Sequence, residues 1–221
     1  MTARARLRAL LWPFRIERDV HCELDLRQSA PNGPLSEGIT VRVGSFEEVM
    51  SAADMRHRDA GENVHAEFED RLRRGQKCFV AIRRDEVVGC NWLAFGTDHE
   101  GPVRIVLRDH EVLFMDAFTA ISARGRSVHA VLQRAMVVWA KEQGYRYAYT
   151  FLRHADPAAS KAIVQMGWRQ DDRPRYTIIS SPMMRQIGVR HQIVIDHDPG
   201  RHPVPRGPYV RIPPFEREPW E

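Results

Sequence analysis

The chain has 221 residues, of which 43% are hydrophobic and 28% charged, a size and balance that fit one globular domain with appendages and exclude a disordered, collagen-like or coiled-coil chain. No apolar run reaches the ~18 residues of a membrane-spanning helix, and Leu7–Trp12 is too short for a signal-peptide core, so a cytoplasmic location is expected. The formal charge of +4 sits at the ends, +3 in residues 1–19 and +1 in residues 182–221 around a neutral centre, which excludes the dense basic face of a nucleic-acid binder.

Residues 1–38 read as a basic N-terminal extension and linker. Arg alternates with Leu, Trp and Phe as far as Pro13, a pattern open to two readings: a short helix packed on its own domain, or one that meets a membrane surface or a partner. Val20–Leu26 is strand-like, and the turn-rich Ser29–Gly38 leads into the domain proper, expected over residues 39–181. Ile39–Val43 is a short strand. Ser45-Phe-Glu-Glu48 has the spacing of a capping box and opens a helix running to about Asp59. A second helix, His65–Arg74, stops at Gly75. Strands Cys78–Arg83 and Val87–Phe95 flank the turn Arg84-Asp-Glu86 and form an antiparallel hairpin. The three cysteines, Cys22, Cys78 and Cys90, are odd in number and lack a CxxC pair; they are expected as buried thiols, with no disulfide and no metal.

After the loop 97–102 and the alternating Val103–Arg108, the run Val112–Phe118 reads as a buried strand interrupted by one carboxylate, Asp116. Ser127–Gln143 carries Val128, Val131, Leu132, Ala135, Val138 and Trp139 at helical spacing and ends at Gly144. Tyr145–Leu152 is a strand, Asp156–Met166 a helix with Pro157 at its first position, and Arg175–Ser180 a further strand. Seven of the fourteen prolines fall in Pro199–Pro219, so residues 182–221 read as an extended or disordered tail, or an arm across a second subunit of a homodimer. The loop Arg124-Gly-Arg126 precedes the N-terminus of the long helix, where free N–H groups and the helix dipole favour an anion; the alternative is an ordinary turn with Arg facing water.

The order β, α, α, β, β, β, α, β, α, β over Ile39–Ser180 resembles that of the GNAT superfamily of acyl-CoA N-acyltransferases. Met115–Val128 is similar to that family's acyl-CoA motif, a strand followed by Val-x-Pro-x-x-Arg-Gly-x-Gly-x-Gly/Ala and a helix. Asp156–Trp168 resembles its Asn-x-x-Ala/Ser-x-x-x-Tyr-x-Lys-x-Gly-Phe segment, and Val88-Gly89 its Ile-x-Gly signature. The resemblance implies an α/β (α+β) fold with a central mixed sheet flanked by helices, and acetyl-CoA or another acyl-CoA as co-substrate. The acceptor it implies is a primary amine of a small molecule, sugar or peptide. It further implies that the backbone of Phe118 and Thr119 pairs with pantetheine. The N–H groups of Arg126, Ser127, Val128 and His129, with Arg124 and Gly125 beside them, would hold the pyrophosphate, with Asp156 and Ser160 on the same cofactor side.

For chemistry, Asp116 is the first candidate to take the amine proton or orient the amine, with a structural salt bridge to Arg as the alternative. His154 is the second candidate for proton transfer, and Tyr149 or Ser160 could offer a hydroxyl to the leaving thiolate. The sequence also departs from the family pattern. Ser127-Val-His129 stands where Gly-x-Gly/Ala is usual, Asp156 replaces Asn, Ile163 replaces the proton-donating Tyr, and Gln165 replaces Lys. Two alternatives therefore stay open: transfer of a longer acyl chain from long-chain acyl-CoA or an acyl carrier protein, and a non-catalytic acyl-CoA-binding or partner-binding module.

Overall fold

A computed structural model describes residues 15–29, 38–100, 103–153, 157–171, 176–180, 193–196 and 204–205, and the side chains of 19–29, 38–96, 105–152 and 159–171. The basic segment 1–14, most of the linker, His154, Asp156 and most of the tail lie outside the described residues. Val20, Cys22, Leu24 and Leu26 alternate and are all buried, the period of a strand. They mark β1 (Arg15–Asp25), which is followed by β2 (Thr40–Val43), α1 (Phe46–Ala60), α2 (His65–Arg73), β3 (Lys77–Arg83) and β4 (Glu86–Ala94). Next come β5 (Thr97–Glu100), β6 (Val103–Val106), β7 (Glu111–Thr119), a 3-10 turn (Ile121–Ala123), α3 (Val128–Glu142) and β8 (Tyr147–Arg153). The chain then forms α4 (Pro157–Gln165), β9 (Arg169–Gln170), β10 (Tyr176–Ser180), β11 (Ile193–Asp196) and β12 (Val204–Pro205).

Local chemistry sets the element ends. Ser45 Oγ accepts from the Glu48 N–H at 3.3 Å while the Glu48 carboxylate accepts from the Ser45 N–H at 2.9 Å, so the capping box is present. Arg84 and Asp85 both have positive φ, 51° and 62°, which makes the β3–β4 connection a two-residue turn of the type that matches strand twist.

Long-range pairing differs from expectation in three places. The main sheet has the order β11-β10-β1-β8-β7-β4-β3-β2, with β9 also paired to β1. β1, expected ahead of the domain, runs antiparallel between β8 and β10 inside this sheet, with Val20 opposite Leu152 and Cys22 opposite Thr150. Its alternation of buried residues marked it as a strand, but its partners lie more than a hundred residues downstream. Residues 97–100, expected as loop, pair with β6 as β5, and the Pro-rich tail contributes β11 to the main sheet and β12 to the small β12-β6-β5 sheet. Pro205 sits in a terminal strand of two residues, where its missing N–H is tolerated.

The helices cover both faces. A Cβ on Gly89 would touch Val128 and Leu132 of α3, whereas the Trp92 ring packs edge-on against Phe68 of α2 at 5.0 Å. Three residues apart on one strand means opposite faces, so α3 and α2 sandwich the sheet. Trp92, Phe68, Phe114, Leu132 and Met136 are fully buried between the layers. All three cysteines are buried free thiols; burial pushes Cys22 up to about 12 and Cys78 also well above the ordinary thiol range. Among the described residues no helix is long and apolar enough to cross a membrane.

Candidate active site

β7 and β8 are the parallel neighbours in the sheet, and their pairing is short: Glu111 with Tyr147, Val112 with Ala148, Leu113 with Tyr149. Beyond Leu113 the strands part. β7 keeps its pairing with β4 through Thr119 and β8 keeps its pairing with β1 through Arg153. The facing edges of residues 115–119 and 150–153 therefore point into a gap rather than at each other. The gap is a cavity of about 430 Å³ lined by residues of β4, β7, β8, α3 and α4, among them Asn91, Asp116, Thr119, His129, Gln133 and Thr150. A volume of that size lies within the range of small-molecule sites, ~300–1,000 Å³.

Asp116 sits where β7 bulges. Cys90 pairs with Phe118 but Trp92 with Met115, so β7 carries one residue more than β4 there, and Asp116 takes a positive φ of 55°. An extra residue in the left-handed region bends a strand and re-aims its side chains. Asp116 lines the cavity, and its carboxylate also reaches the helices on the α1–α2 face. Arg71 Nη1 donates to one oxygen at 2.6 Å and Arg56 Nη1 donates to the other. Arg56 also pairs with Glu62 at 2.6 Å, and Arg71 with Glu67. Arg71, only 5% exposed, lies over Trp92 with its guanidinium 5.2 Å from the ring centre. Both oxygens of the first catalytic candidate are thus held by guanidinium donors. That is the salt-bridge alternative in its geometry, placed at the edge of the cavity.

The loop after β7 leads to the N-terminus of α3. Ile121 N–H donates to the Asp59 carboxylate at 2.8 Å, which ties the loop to the end of α1 and holds the Asp59 carboxyl below the usual range. Arg124 folds back, its Nε donating to the Thr119 carbonyl at 3.4 Å. Gly125 and Ser127 both have positive φ, 74° and 58°. Ser127 is the N-cap residue but its hydroxyl caps nothing, so at this position the chain keeps a glycine-like backbone without glycine. The first helical bond runs from Val131 N–H to the Ser127 carbonyl at 3.0 Å, which leaves the N–H groups of Val128, His129 and Ala130 without helical acceptors. Val128 is buried and Arg126 and Ser127 are exposed. His129, half-buried, lines the cavity, and burial lowers its pKa below the ordinary histidine value, favouring the neutral ring.

The remaining candidates are dispersed. Phe118 is half-buried with Arg56 stacked over its ring at 5.7 Å, and Thr119 lines the cavity. Tyr149 is 4% exposed and its hydroxyl donates to Glu111 at 3.2 Å; burial and the neighbouring carboxylates drive its pKa far upward. It is not among the cavity-lining residues, so the structure does not bring it together with Asp116. Ser160 Oγ is taken up by Gln170, although Ala159 and Ile163 on the same helix line the cavity. A second cavity, about 660 Å³, lies between the end of β1 and the end of α4 and contains none of these candidates. No cluster of metal-ligating side chains occurs among the described residues.

Sequence reasoning missed four residues at this site. Arg56 and Arg71 lie in helices rich in Arg, where nothing distinguishes a cavity-edge partner from a solvated one. Asn91 and Gln133 left a signal: each is a polar residue in an apolar run, and Gln133 stands four residues from His129, on the same side of α3.

No protein-family model matches the sequence, and no curated protein matches it. Solved structures do resemble the fold. A conserved protein of unknown function from Staphylococcus epidermidis is similar at a TM-score of 0.54 and 10% identity, over 82% of this chain and 68% of that one. A GNAT-family acetyltransferase from Colwellia psychrerythraea is similar at a TM-score of 0.55 and 13% identity, over 76% of this chain and 59% of that one. AAC(6')-Iy, solved with the bisubstrate analogue CoA-S-monomethyl-acetylneamine, is similar at a TM-score of 0.51 and 17% identity, over 61% of this chain and 93% of that one. A mixed sheet parted between its two parallel strands, helices on both faces and these likenesses together identify the fold as that of the GNAT superfamily of N-acyltransferases.

Proposed function

We propose that this chain is an acyl-CoA-dependent N-acyltransferase, with acetyl-CoA as the default donor and a primary amine as acceptor. One observation carries the reading: the parallel β7–β8 pairing ends at Leu113 and Tyr149, and the strands then open into a cavity bordered by the N-terminus of α3. An open strand edge accepts an extended chain bearing amides as it would a further strand, and a free helix N-terminus accepts a phosphate. The groups present fit a donor with both features. Backbone groups of Phe118 and Thr119 take the pantetheine arm, and the N–H groups of Val128, His129 and Ala130 take the pyrophosphate, with the Arg124 and Arg126 side chains adding charge. The bound donor supplies an acyl thioester as electrophile.

On the acceptor side, the Asp116 carboxylate, held between Arg56 and Arg71, orients an ammonium or amine at the bulge. Its two oxygens are already engaged, which favours orientation over proton removal and leaves the proton to water. The structural likeness to AAC(6')-Iy, solved with the bisubstrate analogue CoA-S-monomethyl-acetylneamine, supports an amine acceptor. Titration calorimetry with acetyl-CoA, a long-chain acyl-CoA and CoA tests the reading. Saturable binding of a CoA compound, with thiol release that depends on an added amine and falls in Asp116→Asn while donor binding persists, is the expected result. No binding of any of them would overturn it. A non-catalytic donor-binding module is the second reading, favoured by the Tyr149 hydroxyl being spent on Glu111; donor binding without thiol release across a panel of amines would select it.

A further inference from the structure

Asn91 and Gln133 have no role in the catalytic scheme above, yet both line the cavity, and they are 1% and 3% exposed. Among the described residues, neither the Oδ1 nor the Nδ2 of Asn91 has a hydrogen-bond partner, and neither does the Oε1 of Gln133. Buried polar atoms are nearly always bonded, and leaving one unsatisfied is unfavourable. Three such atoms on one cavity are met by water in the free chain, and a ligand that displaces that water must itself supply both a donor and an acceptor. Because both ends of the Asn91 amide are open, its demand is the same whichever way the amide is turned.

Asn91 is placed there by the bulge. Its neighbours Cys90 and Trp92 pair with Phe118 and Met115, so it stands opposite the Asp116-Ala117 irregularity, on the face of β4 that meets α3. Gln133 comes from the second turn of α3, one turn beyond His129. A secondary amide in an extended chain presents a carbonyl, which would accept from Asn91 Nδ2, and an N–H, which would donate to Gln133 Oε1 or Asn91 Oδ1. A hydrocarbon chain in the same place would leave all three atoms unbonded.

We infer that Asn91, with Gln133 on the same cavity, recognises the amide groups of a pantetheine arm, so that side chains as well as strand edges bind the donor. The inference rests on the donor-binding reading above. It also gives this chain a donor contact that does not depend on the loop where glycines are replaced by Ser127 and His129. The arm is common to CoA and to the phosphopantetheine of carrier proteins, and Asn91 would serve either.

The test titrates CoA, phosphopantetheine and adenosine bisphosphate, which carries the nucleotide of CoA without its arm, into the full-length chain and into Asn91→Leu. The expected result is a loss of about tenfold in affinity for whichever arm-bearing ligand the wild type takes, with adenosine bisphosphate binding unchanged. The ligand-free variant should melt no lower than wild type, because the substitution removes orphaned groups. Gln133→Met, on a helix that tolerates Met, gives a second measurement if Asn91→Leu does not fold, and should show the same selective loss. Arm-bearing affinity within about twofold of wild type, or equal weakening of all three ligands, would overturn the inference while leaving the donor-binding reading in place. A wild type that takes neither CoA nor phosphopantetheine would overturn that reading, and this inference with it.

Discussion

Gly89→Ala tests how the sheet positions the N-terminus of α3. A Cβ on Gly89 would lie 2.7 Å from Val128 Cγ1, 3.1 Å from the Phe118 carbonyl oxygen and 3.3 Å from Leu132 Cδ1. Carbon atoms in good contact are ~3.5–4.0 Å apart, so Val128 must retreat by about 1 Å. Val128 is 2% exposed and Leu132 fully buried, so the retreat moves the first turn of α3 rather than one rotamer. Overpacking of this kind costs about 1–3 kcal/mol. Val128→Ala removes two buried methyl groups and costs about 1.6 kcal/mol from transfer alone. It also removes the atom that clashes, so the double variant should be more stable than the sum of the two single losses predicts, by about 1 kcal/mol or more. Equilibrium urea unfolding at constant m measures the cycle. CoA titration of the same proteins should find binding weakened in Gly89→Ala and restored in the double variant. Additive losses within about 0.5 kcal/mol, with CoA affinity unchanged in Gly89→Ala, would refute the claim that this glycine sets the helix position.

Two further outcomes are expected. Ser127 holds a left-handed conformation with no capping bond from its hydroxyl; Ser127→Gly should relieve ~1–2 kcal/mol of backbone strain against an entropic cost of ~0.5–1, a net gain of about 0–1.5 kcal/mol read as a melting temperature that is raised or unchanged. A loss of stability would mean that the hydroxyl is needed. Burial lowers the His129 pKa from its ordinary 6.5, so below that value the unfolded chain binds the proton more readily than the folded one. The stability associated with the neutral ring is complete above about pH 6.5 and is lost as pH falls through the lower folded value, with a slope of at most about 1.4 kcal/mol per pH unit. His129→Asn should flatten the pH dependence of urea unfolding in that range, and an unchanged slope would count against a neutral ring held by desolvation.

What the sequence makes legible here is what is settled within a few residues. The Ser45–Glu48 capping box, the Arg84-Asp85 turn and the periodic stripe of α3 each rest on neighbouring side chains and backbone sterics. Partners far along the chain are not encoded locally. β1 has a plain strand pattern, but nothing in residues 15–25 specifies that β8 and β10 will leave room for it. The same asymmetry runs through the site. Asp116 stands out as a carboxylate in an apolar run, whereas Arg56 and Arg71 are two among many Arg on helix surfaces. Tyr149 reads as a hydroxyl on the right strand, and only the direction of its ring, toward Glu111 rather than the cavity, separates it from the site.

One backbone irregularity accounts for the features of the site that sequence pattern left least visible. The bulge adds a residue to β7 at Asp116, and a bulge strengthens local twist and bends the strand that carries it. β7 leaves β8 after Leu113, just before that point, so the opening of the sheet and the bulge lie together. The same positive φ sends the Asp116 carboxylate to Arg56 and Arg71 on one face, while opposite it Asn91 keeps on the other an amide with no partner among the described residues. A carboxylate in this apolar run is costly to bury without partners, and at the bulge it meets two guanidinium groups. The bulge is formed by Asp and Ala, and neither advertises a left-handed residue as strongly as Gly would. A pattern of apolar residues with one acid among them therefore marks the place without disclosing the geometry.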